Sequence, residues 1–224
     1  MMRSDAISGR VLDHLAQSGL FRLGAVLVGT HAFNLLGAVL GVTWKAGQQT
    51  EDIDIASDLH VAVPGEEINL PETLARLEMG FLPVPALNPR HPATSFKVRG
   101  QRLRVDLLCP AGNRKINKPL EIKALHAAAH GGVLVNVPDP SRFALHKMIV
   151  ANERDAAWQT KVDKDLLQAG LLLEVLLDER PGDLLLIREE ILQRGWKKHL
   201  ITGLNSLQRR HPRVAEKAKD LFAG

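Results

Sequence analysis

The sequence predicts an α/β domain, a mixed sheet with flanking helices, followed by an all-helical C-terminal half. Three observations carry this expectation. Apolar or alternating runs suited to strands, Leu23 to Val28, Thr50 to Ala56, Phe96 to Arg99 and Leu103 to Leu108, are interleaved with stretches of helical spacing. Beyond about Ala111 the pattern turns almost wholly helical. A chain of 224 residues that is 45% hydrophobic can bury a real core, as one large domain or two small ones. The expected division is 1–115 for the α/β core and 116–224 for the helical part.

Taken in order, Ile7, Val11, Leu12 and Leu15 fall at helical spacing between Asp5 and Gln17, with Gly19 as a left-handed stop. Leu23 to Val28 suits a buried strand ending at Gly29-Thr30, after which His31 to Leu40 reads as a helix with Thr30 as N-cap. Pro71 starts a helix running to Met79, with Gly80 as its end. Phe81 to Leu87, interrupted by Pro83 and Pro85, is confined to a sheet edge or an extended loop. Two strand-like arms flank Gly100-Gln101 as a hairpin. Leu120 to His130 is a short helical candidate, and Val133 to Val135 is extended. Asp139-Pro140 opens a helix to Asn152, Lys161 to Leu177 is apolar on one side, and Asp183 opens a helix to Gln193. Basic helices near Lys197 to Arg209 and Arg213 to Phe222 complete the chain.

No run of eighteen apolar residues exists, so no membrane-spanning helix is expected. The N-terminus lacks the apolar run of a signal peptide, and the single cysteine, Cys109, excludes an internal disulfide framework; both fit a cytoplasmic protein. The formal net charge is +4, but from Gly195 onward seven Lys and Arg face only Glu216 and Asp220. This basic tail suits a polyanion such as RNA or DNA, although a solvated helical surface is the commoner meaning.

Thr50-Glu51-Asp52-Ile53-Asp54-Ile55-Ala56 is the stretch around which the rest is organised. As a strand it turns Asp52 and Asp54 to one face and Ile53 and Ile55 to the other. Carboxylates about 7 Å apart at the Cα can converge on one hard cation. A strand-to-helix turn at Gly29-Thr30 would aim free backbone N–H groups at one spot, which attracts phosphate. On the later arm, Asp106 stands between apolar neighbours of a strand that reads as central, so it needs a partner or a function. Arg104, two residues earlier on the same face, is the obvious partner if Asp106 is only structural.

Gly29-Thr30 at a helix start, Asp52-Ile53-Asp54 on a strand and Asp106 on a later strand together resemble the nucleotidyltransferase superfamily built like DNA polymerase β. The chain is similar, more narrowly, to small bacterial nucleotidyltransferase-fold proteins, themselves distantly similar to the nucleotidyltransferase toxins of abortive-infection systems. The residues that carry this likeness are Leu27 to Phe33, Thr50 to Ala56, Val105 to Leu108, Pro138 to Lys147, Arg154 and Lys161 to Asp165. It covers roughly Gly29 to Leu177.

The resemblance implies a metal-dependent enzyme that moves a nucleoside monophosphate from a nucleoside triphosphate to a hydroxyl of RNA, protein or a small molecule. Asp52, Asp54 and Asp106 would be catalytic and would hold Mg²⁺ or Mn²⁺, since nucleotidyl transfer needs cations to neutralise the triphosphate. Gly29, Thr30, Lys147 and Lys164 would bind the nucleotide, in a cleft expected between the two halves. The competing expectation is a catalytically silent module of the same fold, acting as an antitoxin or a nucleic-acid-binding partner. On residue chemistry alone Lys147, Arg154 and Lys164 are equally surface cations, and Asp165 a partner for Lys161 four residues earlier. His31 and the tryptophans Trp44, Trp158 and Trp196 read as packing residues.

Overall fold

The computed structural model describes residues 6–44, 50–57, 69–86, 88, 90, 92–108, 124–128, 132–193 and 196–223. It forms two compact units, Met1–Pro138 and Asp139–Gly224. The expected boundary at residues 115 and 116 lies outside the described residues, as does Cys109.

The first unit opens with α1 (Ala6–Gln17), which buries Val11, Leu12 and Leu15. It ends as the spacing predicts, with Gly19 at φ 86 and its N–H donating to the Ala16 carbonyl at 3.0 Å. Strand β1 (Val26–Val28) is shorter than its apolar run, because Leu20 to Gly24 form a turn closed by Gly24 at φ 89. Helix α2 (Gly29–Val39) follows directly, and β2 (Asp52–Ala56) comes next. Helix α3 (Leu70–Ala75), capped by the Asn69 side chain on the Glu72 N–H, stops short of the expected Met79. The backbone turns left-handed at Glu78 (φ 54), ahead of Gly80.

Strands β3 (Phe81–Pro83), β4 (Ser95–Val98) and β5 (Arg104–Leu108) complete a five-stranded sheet of order β1-β2-β5-β4-β3. All neighbours are antiparallel except β2 and β5, which run parallel. The Pro-containing β3 lies at an edge and β5 at the centre, both as expected. Ile53, Ile55 and Val105 are fully buried on the face away from the acids. Each contributes about 1.5–3 kcal/mol by burial. A one-residue slip of either strand would exchange these side chains for aspartates, so the register is pinned.

The helix expected over Leu120 to His130 is instead a strand where described: β6 (Ala124–Ala128) pairs antiparallel with β7 (Leu134–Pro138). Weak local helical preference gives way to antiparallel pairing with the strand that follows. Strand β7 is itself anchored, since the buried Asn136 amide donates to the carbonyls of Phe21 (2.6 Å) and Ala25 (2.8 Å) just before β1.

The second unit is helical throughout its described residues. Helix α4 (Pro140–Glu153) starts as the sequence predicts, the Asp139 carboxylate accepting from the N–H groups of Ser141 (3.0 Å) and Arg142 (3.1 Å). A 3₁₀ turn (Ala156–Trp158) leads into α5 (Gln159–Glu179), whose Leu166, Ala169, Leu172, Leu173 and Leu176 are buried. Then come α6 (Pro181–Gln193), α7 (Lys197–Gln208) and α8 (Pro212–Ala223). Arg142 of α4 pairs with Glu190 of α6. Among the described residues no helix is long and apolar enough to cross a membrane.

Candidate active site

The parallel pairing of β2 with β5 brings the acids together. Asp54 stands directly opposite Asp106, and Asp52 directly opposite Arg104. Facing residues on adjacent strands lie about 4.8 Å apart and share a face. Asp52, Asp54 and Asp106 therefore lie on one side of the sheet, Asp52 exposed and the other two half-buried. On the other flank of β2, Val28 faces Asp54 across the antiparallel pair. The next residue, Gly29, takes φ 66, and a Cβ built on it would fall inside the Asp54 carboxylate. Gly29 is thus required twice, by its left-handed backbone and by the close approach of Asp54.

Helix α2 starts at Gly29, so Thr30 is not the N-cap expected of it. The cap position belongs to Val28, which makes no side-chain cap bond, and Thr30 is buried in the first turn. The left-handed turn is set at Gly29, and the helix starts two residues earlier than expected. His31 is buried on the same helix, and Trp44 stacks on Phe33 with ring centroids 4.8 Å apart, its indole N–H donating to the Phe33 carbonyl. Both are packing residues, as expected.

Asp106 is engaged. Arg104 Nε donates to Asp106 Oδ1 at 2.8 Å and to Ser95 Oγ at 2.8 Å, with the arginine side chain 47% and the aspartate 21% exposed. On β4, Ser95 faces Asp106 and Lys97 faces Arg104. The sheet face so carries two rows across β2, β5 and β4: Asp52, Arg104, Lys97 and, beside it, Asp54, Asp106, Ser95. Ser95 and Lys97 were not singled out by the sequence, although counting outward from the turn at Gly100-Gln101 puts them at these positions.

Among the described residues no three His, Cys, Asp or Glu side chains converge closely enough to hold a metal ion as they stand. The acidic set nevertheless fits a hard divalent cation in kind, being all oxygen, and in register, with two carboxylates on adjacent strands and the third on the same face. One of the three, Asp106, is paired with Arg104.

In the second unit the predicted cations divide. Lys147 Nζ donates to Asp165 Oδ1 at 2.7 Å, and Arg154 Nε to Asp165 Oδ2 at 2.8 Å. Asp165 is thus not the partner of Lys161, whose ammonium instead lies 4.6 Å from the centroid of the half-exposed Trp158 ring. Lys164 is half-buried on α5. Of the basic tail, Arg210 pairs with Asp163 and Lys217 with Asp178, whereas Lys197, Lys198, Arg209 and Arg213 are exposed.

A search of the curated proteins finds no match. Among solved structures, the chain is similar to an antigenic nucleotidyltransferase-like protein from Paracoccidioides brasiliensis, with a TM-score of 0.58 and 14% identity over 99% of each chain. At that identity the likeness is one of fold, a mixed sheet with a helical C-terminal part. A family model described as nucleotidyltransferase matches residues 6–130 and 113–193, well over half of the sequence. The chain belongs to this nucleotidyltransferase family.

Proposed function

We propose that the protein is a metal-dependent nucleotidyltransferase that moves a nucleoside monophosphate from a nucleoside triphosphate to a hydroxyl acceptor on RNA, a protein or a small molecule. The observation that supports this reading best is the register of Asp54 beside Asp106 on parallel strands, with Gly29 against Asp54. Asp52, Asp54 and Asp106 would hold Mg²⁺ or Mn²⁺, which when bound supplies charge neutralisation of the triphosphate and acidifies the attacking hydroxyl. The acceptor oxygen forms a bond to the α-phosphorus, the bond from that phosphorus to the bridging oxygen breaks, and pyrophosphate leaves. Asp106 accepts the proton lost by the acceptor hydroxyl. Backbone N–H groups after Gly29 carry part of the phosphate charge. Lys147, in this reading, chiefly neutralises Asp165, and the exposed lysines and arginines of α7 and α8 suit an acceptor with phosphates, such as RNA or DNA.

One observation favours the alternative of a catalytically silent module: Asp106 already has a counter-ion in Arg104. The experiment that decides is incubation with each labelled nucleoside triphosphate and Mg²⁺ or Mn²⁺, in the presence of total RNA. Label transfer that disappears in an Asp52→Asn, Asp54→Asn double variant is the expected result. No transfer with any triphosphate, or transfer that persists in the double variant, overturns the enzymatic reading.

A further inference from the structure

We propose that Arg104 is a positioning residue that serves as an internal counter-ion, holding Asp106 until a divalent cation takes that carboxylate and then passing to a phosphate of the nucleotide. This rests on the reading that Asp52, Asp54 and Asp106 form a cation site.

Four features point to an exchangeable pair rather than a fixed one. The single Nε–H of Arg104 is shared between Asp106 Oδ1 and Ser95 Oγ, both at 2.8 Å. One proton divided between two acceptors gives each less than a full hydrogen bond. The Arg104 side chain is also nearly half exposed, so once released it is readily re-solvated, and an ion pair with one partner this open to solvent contributes little to stability. The contact is made through Nε; the four Nη N–H groups, the fork that matches phosphate oxygens, take no part in it.

The fourth feature is the neighbour. Lys97 stands directly opposite Arg104 on β4, and both are exposed. Like charges directly opposite across strands repel. A sheet that sets two cations side by side, next to a row of acids, has a use for a polyanion there. A triphosphate with its cation meets both halves of that pattern, the acids through the cation and the two basic side chains through the phosphates. In that exchange Asp106 leaves Arg104 and turns to the cation held with Asp52 and Asp54 on the same face.

The test measures binding rather than turnover. Titrating Mn²⁺ alone into wild type and Arg104→Gln should show the variant binding the ion more tightly, by on the order of tenfold, because a competing positive charge is gone. Titrating non-hydrolysable nucleoside triphosphates with saturating Mn²⁺ should show the variant weaker, again by on the order of tenfold. A purely structural pair shifts the melting temperature and does not move these two affinities in opposite directions. Arg104→Lys keeps the charge but loses the fork, so it should restore wild-type Mn²⁺ affinity without restoring nucleotide affinity, and it carries the test if the glutamine variant does not fold. Mn²⁺ binding that depends on Asp52 and Asp54 but is not tightened in Arg104→Gln overturns the role of Arg104 and leaves the cation site standing. Absence of Mn²⁺ binding in wild type and both variants overturns the cation site and the inference together.

Discussion

Asp106 in the sheet unit and Asp165 in the helical unit each accept an arginine Nε–H at 2.8 Å, yet their surroundings are opposite. Asp165 is 5% exposed and holds two cations, Lys147 at 15% and Arg154 at 29% exposure, which bind α4 and the segment after it to α5. Asp106 is 21% exposed, pairs with an Arg104 that is nearly half in solvent, and stands beside a second carboxylate. Removing one member of a buried cluster strands charge in a poorly solvated place, whereas the arginine of a partly exposed pair is re-solvated at little cost. Bond length does not separate the two; burial does. The helical acid is a rivet, and the sheet acid is free to change partner.

The largest expected effect comes from breaking the rivet. Asp165→Ala leaves two cations without their carboxylate and should cost about 3–5 kcal/mol in denaturant unfolding. Asp106→Ala, measured the same way, should cost no more than about 1 kcal/mol. Similar losses at the two positions would break the contrast.

Turnover should rank them the other way. Asp106→Asn keeps the shape of the side chain and removes its charge, so transfer should slow by about a hundredfold or more, with nucleotide affinity and melting temperature nearly unchanged. An early-melting variant that transfers at the wild-type rate per folded molecule would mean that the Arg104 pair is structural after all.

Gly29→Ala sharpens the comparison within the sheet unit. Both Gly29 and Gly24 have positive φ, but only at Gly29 would the new methyl meet another residue, the Asp54 carboxylate. Backbone strain should cost each variant about 1–2 kcal/mol. Gly29→Ala should in addition lose Mn²⁺ affinity in calorimetry, and Gly24→Ala should keep it.

The smallest effect concerns pH and the helical unit. The His211 ring packs on Gly170, where a Cβ would lie 2.5 Å from a ring carbon. Burial lowers its pKa below the usual 6.5, opposed by Glu174 and aided by Arg210. The unfolded chain takes up the proton first, so this contribution to stability is complete above pH 6.5 and declines as pH falls toward the lowered value. Melting curves between pH 7 and 5 should show a shallower decline in His211→Gln than in wild type; an unchanged decline would assign it to other groups.

Most of the candidate site is legible in the amino-acid sequence. Alternation across Thr50 to Ala56 puts Asp52 and Asp54 on one face, and the apolar flanks of Asp106 mark it as a carboxylate that needs a partner or a function. The hairpin turn at Gly100-Gln101 holds the positions of Ser95 and Lys97 as well, because antiparallel register follows from the turn. Less legible are features decided by residues outside the stretch that suggests them. The stretch containing Ala124 to Ala128 has helical character by itself and becomes a strand beside β7. Thr30 has the chemistry of a cap but lies one residue inside the helix, since Gly29 bears the turn. Asp165 has a lysine four residues earlier in sequence, yet the cations that reach it come from α4 and the residue after it.

Local chemistry by itself determined which residues are acids on a strand, which glycine can turn left-handed and where helix α4 begins, because alternation, φ preference and capping act over a few residues. Tertiary structure alone decided that β2 runs parallel to β5 and that Asp54 therefore faces Asp106, whereas the Arg104–Asp106 pair follows from two residues sharing one face of β5. Parallel pairing leaves no turn between its strands to fix the register, so it is set by which side chains are buried, here Ile53, Ile55 and Val105. The acids come together because the apolar residues between them are packed on the other face.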